Sequence, residues 1–170
     1  MIRAGFEATI GLDMEKIPFT QVGLDRLKEE LNALKHSERQ AVIRAIAEAR
    51  EHGDLSENAE YQYAKEQQSL IEGRISDLES SISRAEVIDI KEMSGDEIKF
   101  GATVEIEDDD TGNKQKYQIV GEYESDIENK KLSIISPLAR GLIGKSQGDN
   151  VEINSPKGTK SYTIISVKYI

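Results

Sequence analysis

The chain of 170 residues has no cysteine and no tryptophan, three prolines, three phenylalanines and six tyrosines. Without cysteine there is neither a disulfide frame nor a thiolate zinc site. His36 and His52 are the only histidines. No Ser/His/Asp or Cys/His set is therefore at hand for nucleophilic catalysis, which argues against a self-contained hydrolase. No apolar run approaches the length of a membrane span. The N-terminus lacks a basic region followed by an apolar core, so no secretory signal is expected. Excess positive charge is also missing. The formal net charge is -10, which argues against broad, sequence-independent binding to a free duplex. These absences point to a soluble cytoplasmic protein with no membrane partner.

What is present is charge and helical period. Hydrophobic residues make up 37% and charged residues 32% of the chain, a balance that suits exposed helices with little core per residue. Residues 1–14 show no period and are expected to be an unstructured extension, with Met14 as a possible true start. A hydrophobic staple (Phe19 and Leu24) around an N-cap at Thr20 predicts a helix start. Leu24, Leu27, Leu31 and Leu34 then follow the 3-4-3 spacing of a coiled-coil seam. Beyond Leu34 the apolar positions shift to Val42, Ile46 and Ala49, an interruption expected to unwind the pair locally, as a stutter does. The helix should end near His52, with Gly53 as a left-handed C′ residue. A second helix is expected from about Leu55 to Ala85, with its seam at Ile71, Ile75, Leu78, Ile82 and Ala85. So short a turn makes the two helices antiparallel neighbours. Ala41, Ala45, Ala47, Ala49, Ala59 and Ala64 make the tip half thin.

After Ala85 the period changes to two. Strands are predicted at 87–90, 102–106, 117–120, 132–135, 151–153 and 162–167. Hairpin turns are predicted at 109–113 and 155–158. A short helix follows Pro137, with Leu138, Leu142 and Ile143 on one side. The fold class is thus α+β, with a helical hairpin over 15–86 and a small antiparallel sheet domain over 87–170.

Asp54 and Glu57 sit at the tip of the hairpin. Asp54-Leu55-Ser56-Glu57 fits a capping box, and acid in a first turn suits the helix dipole. The same pair fits a weak Mg²⁺ site, because this ion often takes one or two protein carboxylates and fills its shell with water and substrate oxygens. His52 in the last turn of helix one suits the helix C-terminus as a cation. Arg39 and Arg50 are eleven residues apart and share a helix face, and Lys65 on the second helix can join Arg50. Such cations are either ordinary exposed helical charge or a guide for a nucleic-acid strand. Gly141-Leu142-Ile143-Gly144-Lys145-Ser146 resembles the end of a phosphate-binding loop, but Ala139 stands where the first glycine is required. Asp108-Asp109-Asp110 lacks the alternating ligands of a calcium loop and reads as a solvated turn.

The tip sequence Ala47-Glu48-Ala49-Arg50-Glu51-His52-Gly53-Asp54-Leu55-Ser56-Glu57-Asn58-Ala59-Glu60-Tyr61 resembles the signature of bacterial Gre-type transcript cleavage factors, with GreA the nearest branch. A second stretch, Ser136-Pro137-Leu138-Ala139-Arg140-Gly141-Leu142-Ile143-Gly144-Lys145 with Gly148-Asp149 after it, resembles the same family in its other domain and in the same order. The resemblance covers roughly residues 15–170.

It implies an N-terminal coiled coil and a C-terminal FKBP-like domain that docks at the rim of the secondary channel of RNA polymerase, here through Ser136, Pro137, Leu138, Ala139, Arg140 and Gly141. The coiled coil would then reach the active centre. The family's tip acids map onto Asp54 and Glu57. Its basic patch maps onto Arg50 and onto Lys65, where the family more often has arginine; Arg39 extends the patch. The chain is then no enzyme itself. It binds no cofactor tightly and, as a monomer, shares Mg²⁺ with the polymerase to stimulate cleavage of backtracked RNA near its 3′ end. Two alternatives stand beside this reading. One is an anti-cleavage factor that plugs the channel. The other is a peptidyl-prolyl isomerase, for which so few aromatics make a proline pocket hard to build.

Overall fold

The computed structural model describes residues 15–54 and 58–170. The expected extension at 1–14 and residue Glu57 of the expected acid pair lie outside the described residues. Among these residues no helix is long and apolar enough to cross a membrane.

The chain enters through a short strand, β1 (Ile17–Phe19), and turns into α1 (Gln21–Ala33). Thr20 is the N-cap, and its side chain accepts a hydrogen bond from the Gly23 backbone N–H at 3.1 Å. Phe19 and Leu24 are both buried, as the staple requires. Helix α1 continues without a break through a π-helical segment (Leu34–Glu38) into α2 (Arg39–Arg50). This segment gives the seam interruption a physical form. Leu34 and Val42 are eight residues apart, which in an unbroken α-helix would set them about 80° out of line. A wider π turn takes up the extra residue, and Leu34 and Val42 are both buried at 6% exposure. The slip is thus absorbed inside one helix and not by unwinding the pair.

Helix α3 (Ala59–Ser83) returns antiparallel to α1 and α2. It starts four residues later than the sequence suggests, because its N-cap is Asn58. Phe19, Leu24, Leu27, Leu34, Ile75 and Leu78 form the apolar base of the hairpin, with Leu31, Ile71, Ile82 and Ala85 packed around them. Strand β2 (Ala85–Val87) then pairs in parallel with β1 and ties the two ends of the hairpin together. The strand expected at 87–90 stops at Val87. Asp89 accepts a hydrogen bond from the Lys91 N–H and caps a 3₁₀ turn over Ile90–Glu92.

The second core is a five-stranded sheet. Its strands are β3 (Thr103–Asp108), β4 (Lys114–Val120), β5 (Lys131–Ser133), β6 (Asn150–Ser155) and β7 (Gly158–Lys168), in the order β5-β4-β3-β7-β6. All pairs are antiparallel except β4–β5, which is parallel. The sheet is therefore mixed where an antiparallel one was expected. A six-residue helix, α4 (Pro137–Leu142), covers one face, with Ala139 and Leu142 fully buried beside Val104, Ile106, Ile119 and Ile164. The turn at 109–113 is built by carboxylates. Asp108 accepts from the N–H groups of Asp110 and Thr111, and Asp109 accepts from the hydroxyls of Ser161 and Thr163 and the Asn150 amide. These bonds hold both carboxyls below the usual aspartate range.

Candidate functional site at the hairpin tip

The tip is made by ending one helix and starting another within a few residues. Helix α2 closes at Arg50, and Gly53 takes a left-handed φ of 108°, which costs a glycine little. Asp54 follows and is exposed. The capping box expected over 54–57 falls on residues 55–57, which lie outside the described residues. The Asn58 side chain accepts from the Tyr61 N–H at 3.1 Å and caps α3. The Asn58 amide also donates to the Ala49 carbonyl at 2.7 Å. One side chain thus satisfies an orphan donor of α3 and gives the Ala49 carbonyl, which also accepts from the His52 N–H at 3.2 Å, a second donor. Sequence reasoning missed this bridge, although asparagine is among the strongest N-caps.

The cations divide into two groups. The Arg50 guanidinium lies 6.0 Å from the centre of the Tyr61 ring, a cation–π distance. Lys65 donates to Gln68 at 3.0 Å, and Arg50 and Lys65 line one groove with Ile46 and Ala47. The two are therefore brought together. Arg39 is not with them. Eleven residues of helix separate it from Arg50, about 16 Å. Its fork grips Glu72 through two bonds of 2.6 and 2.7 Å. That bond raises the Arg39 pKa and lowers that of Glu72. His52 Nδ1 lies 3.9 Å from Glu60 on the exposed tip surface.

Among the described residues no three His, Asp or Glu side chains gather as a metal-binding group. Of the expected acid pair, the described residues hold the exposed Asp54 carboxylate, with Glu57 three positions on in the sequence. That chemistry fits a contribution to a shared ion, since Mg²⁺ commonly takes only one or two protein carboxylates.

In the other domain, the stretch 136–141 forms the start of α4. Ser136 is its N-cap and accepts from the Ala139 N–H at 3.2 Å, and Pro137 occupies the first turn. Ala139 is fully buried, and a Cβ on Gly141 would overlap Ile153. These two positions are thus explained by packing. Pro137 and Arg140 are exposed and remain available to a partner.

Two family patterns cover most of the chain. The one described as "Transcription elongation factor, N-terminal" matches residues 17–87, and the one described as "Transcription elongation factor, GreA/GreB, C-term" matches residues 93–169. The chain belongs to the GreA/GreB family. Among its relatives is the transcription elongation factor GreA of Brucella anthropi, 56% identical over 157 residues that cover 92% of this chain and 100% of the relative. The GreA of Brucella canis is 57% identical over the same shares. Solved structures of similar sequence include the GreA factor homolog 1 protein of Thermus thermophilus, with 28% identity, coverage of 91% and 99%, and a TM-score of 0.43. The Gfh1 of Thermus aquaticus shows 31% identity, coverage of 90% and 98%, and a TM-score of 0.42. As a GreA/GreB-family member, the protein is a transcription elongation factor.

Proposed function

We propose that this factor binds RNA polymerase and stimulates the polymerase's own cleavage of backtracked RNA, without being a complete enzyme itself. The observation that carries the reading is an exposed acid, Asp54, presented at the end of a rod two helices wide. Helix α3 alone rises about 37 Å over its 25 residues, long enough to bring a tip deep into a channel. The sheet domain docks at the rim of the secondary channel through the exposed side of α4, led by Pro137 and Arg140. Asp54 and Glu57 then offer carboxylate oxygens at the polymerase active centre and orient a water. A Mg²⁺ ion shared there supplies activation of that water and stabilisation of the leaving oxygen. Arg50, held beside Tyr61, and Lys65 neutralise the phosphates of the extruded RNA 3′ end. Arg39, with its charge satisfied by Glu72, contributes less to that contact.

The test is RNA cleavage in a stalled, backtracked elongation complex, comparing wild type with the Asp54→Asn, Glu57→Gln double variant. Both replacements keep shape and remove charge. Cleavage should fall by at least ~10-fold, the scale set by loss of metal-supporting groups, while polymerase binding and the thermal melt stay unchanged. Equal cleavage by both proteins would sink the proposed role of the acids. Binding without cleavage by the wild type would make the protein a channel-plugging inhibitor.

A further inference from the structure

Among the described residues, the loop after β4 builds a joint between the hairpin and the sheet domain. The loop after β4 carries a 3₁₀ turn, Glu122–Glu124, that reaches across to the start of α1. The Glu124 carboxylate accepts from the Thr20 backbone N–H at 3.0 Å and from the Thr20 hydroxyl. The neighbouring Tyr123 ring stacks on Phe19, with centroids 6.0 Å apart and planes at 25°. Its hydroxyl donates to Asp77 on α3 at 3.2 Å. Adjacent residues of one turn thus hold both helices of the hairpin. Two glycines make the approach possible. A Cβ on Gly23 would overlap the Glu124 carboxyl, and a Cβ on Gly121 would lie 2.6 Å from the Pro18 carbonyl oxygen. Gly23 is otherwise costly, since glycine inside a helix weakens it. Space for Glu124 is what that position provides.

From this joint we propose that Tyr123 and Glu124 are positioning residues: they fix the angle between hairpin and docking domain, and so set where the tip is delivered. The proposal rests on the proposed docking and cleavage roles only for its consequence; the rigid angle itself belongs to the free protein. A rod of this length magnifies a small rotation at its base into a displacement of several ångströms at its tip. Misplacement of a reacting group by about 1 Å can cost as much as ~100-fold in rate. Loosening the joint should therefore lower the maximal cleavage rate and leave docking through α4 intact.

The chain has no cysteine, so Glu66→Cys on α3 and Lys157→Cys in the β6–β7 turn allow two spin labels to be placed without background. The inter-label distance distribution is measured in the free factor with and without Tyr123→Ala plus Glu124→Ala. Unlabelled proteins are compared for cleavage at saturating factor and for the concentration giving half-maximal cleavage. The double variant should broaden the distribution and lower saturating cleavage about 10-fold, within the range set by misplacement, while the half-maximal concentration moves less than about 2-fold. Glu124→Gln keeps an acceptor for the Thr20 N–H and should restore a narrow distribution and most of the rate. Gly23→Ala should broaden the distribution by expelling Glu124, although it favours helix. An unchanged distribution in the double variant overturns the joint. A broadened distribution with full cleavage overturns the positioning role. If the wild type supports no cleavage, the proposed function falls and the distance measurement alone decides whether the angle is fixed.

Discussion

At the base of the hairpin Phe19 and Leu78 are completely buried, and Leu24, Leu27, Leu34 and Ile75 close around them. Toward the tip the buried positions shrink to Val42, Ile46, Ala49 and Ala64, while Ala41, Ala45, Ala47 and Ala59 face solvent. The same two helices are thus held by apolar packing at one end. At the other they are held by close backbone approach and a polar bridge from Asn58. Cross-helix ion pairs flank the base at Glu30–Arg74 and Lys35–Glu79, and a third, Arg39–Glu72, lies between base and tip. The arrangement shows how a narrow rod can be rigid without a thick core. Stability is concentrated where bulk is harmless, and the delivered end is kept slender.

The sharpest way to break this division is to cut the packing at each end. Leu78→Ala removes a fully buried side chain from the base and should cost about 3 kcal/mol, within the range for large-to-small core changes. Ile46→Ala should cost about 1–2 kcal/mol, because a two-helix tip leaves solvent and relaxation to fill the space. Denaturant melts of both variants measure the difference. Equal losses would mean that the tip is packed as tightly as the base.

Asn58→Ala probes the polar half of the comparison. It removes the α3 cap and the bond to the Ala49 carbonyl together. The expected cost is about 1–2 kcal/mol, chiefly the lost N-cap, since the Ala49 carbonyl keeps its bond from the His52 N–H. Amide hydrogen exchange should accelerate in the first turn of α3 and the last turn of α2, and stay unchanged around Leu78. Uniform acceleration along the hairpin would show that the tip has no separate stability.

The base was easier to read from sequence than the tip, and the reason is physical. The Thr20 cap, the Phe19–Leu24 staple and the leucine spacing are local signals, and each recurs in the structure. The eight-residue gap between Leu34 and Val42 was visible, but not whether the pair would unwind or one helix would take a π turn. That choice depends on the partner helix. Ile17-Pro18-Phe19 is too short to show alternation, and its pairing partner lies at the far end of the hairpin. The parallel β4–β5 pair is equally non-local. At the site, helical spacing put Arg39 and Arg50 on one face. Only the hairpin register shows that Glu72 takes up Arg39 while Arg50 and Lys65 meet. Asp54 was legible as a tip acid, but Asn58 as the cap of α3 was not, because its part depends on how the hairpin closes on the Ala49 carbonyl.

The smallest expected effect lies between the two ends, at the Arg39–Glu72 pair. The hydrogen bond from Arg39 holds the Glu72 carboxyl below its ordinary value. A lowered carboxylate pKa contributes stability that is fully present above the unfolded-state value, about 4.5. It is lost as pH falls through the folded-state value. Glu72 is exposed and Arg39 about a third exposed, so solvent and salt screen the pair. Thermal melts between pH 7 and pH 3 should show a shallow decline beginning below about 4.5 in the wild type. Arg39→Gln should flatten part of that decline in low salt and make no difference in 1 M salt, where the Debye length is about 3 Å. The sheet-domain carboxylates Asp108, Asp109 and Asp126 are also lowered and must contribute to the same acid limb. Asp109→Asn therefore serves as the control, because it should change the sheet domain's part of the limb and leave the hairpin's part in place. If Arg39→Gln leaves the limb untouched in low salt, the middle of the rod is held by packing alone, and the contrast between base and tip runs continuously from one end to the other.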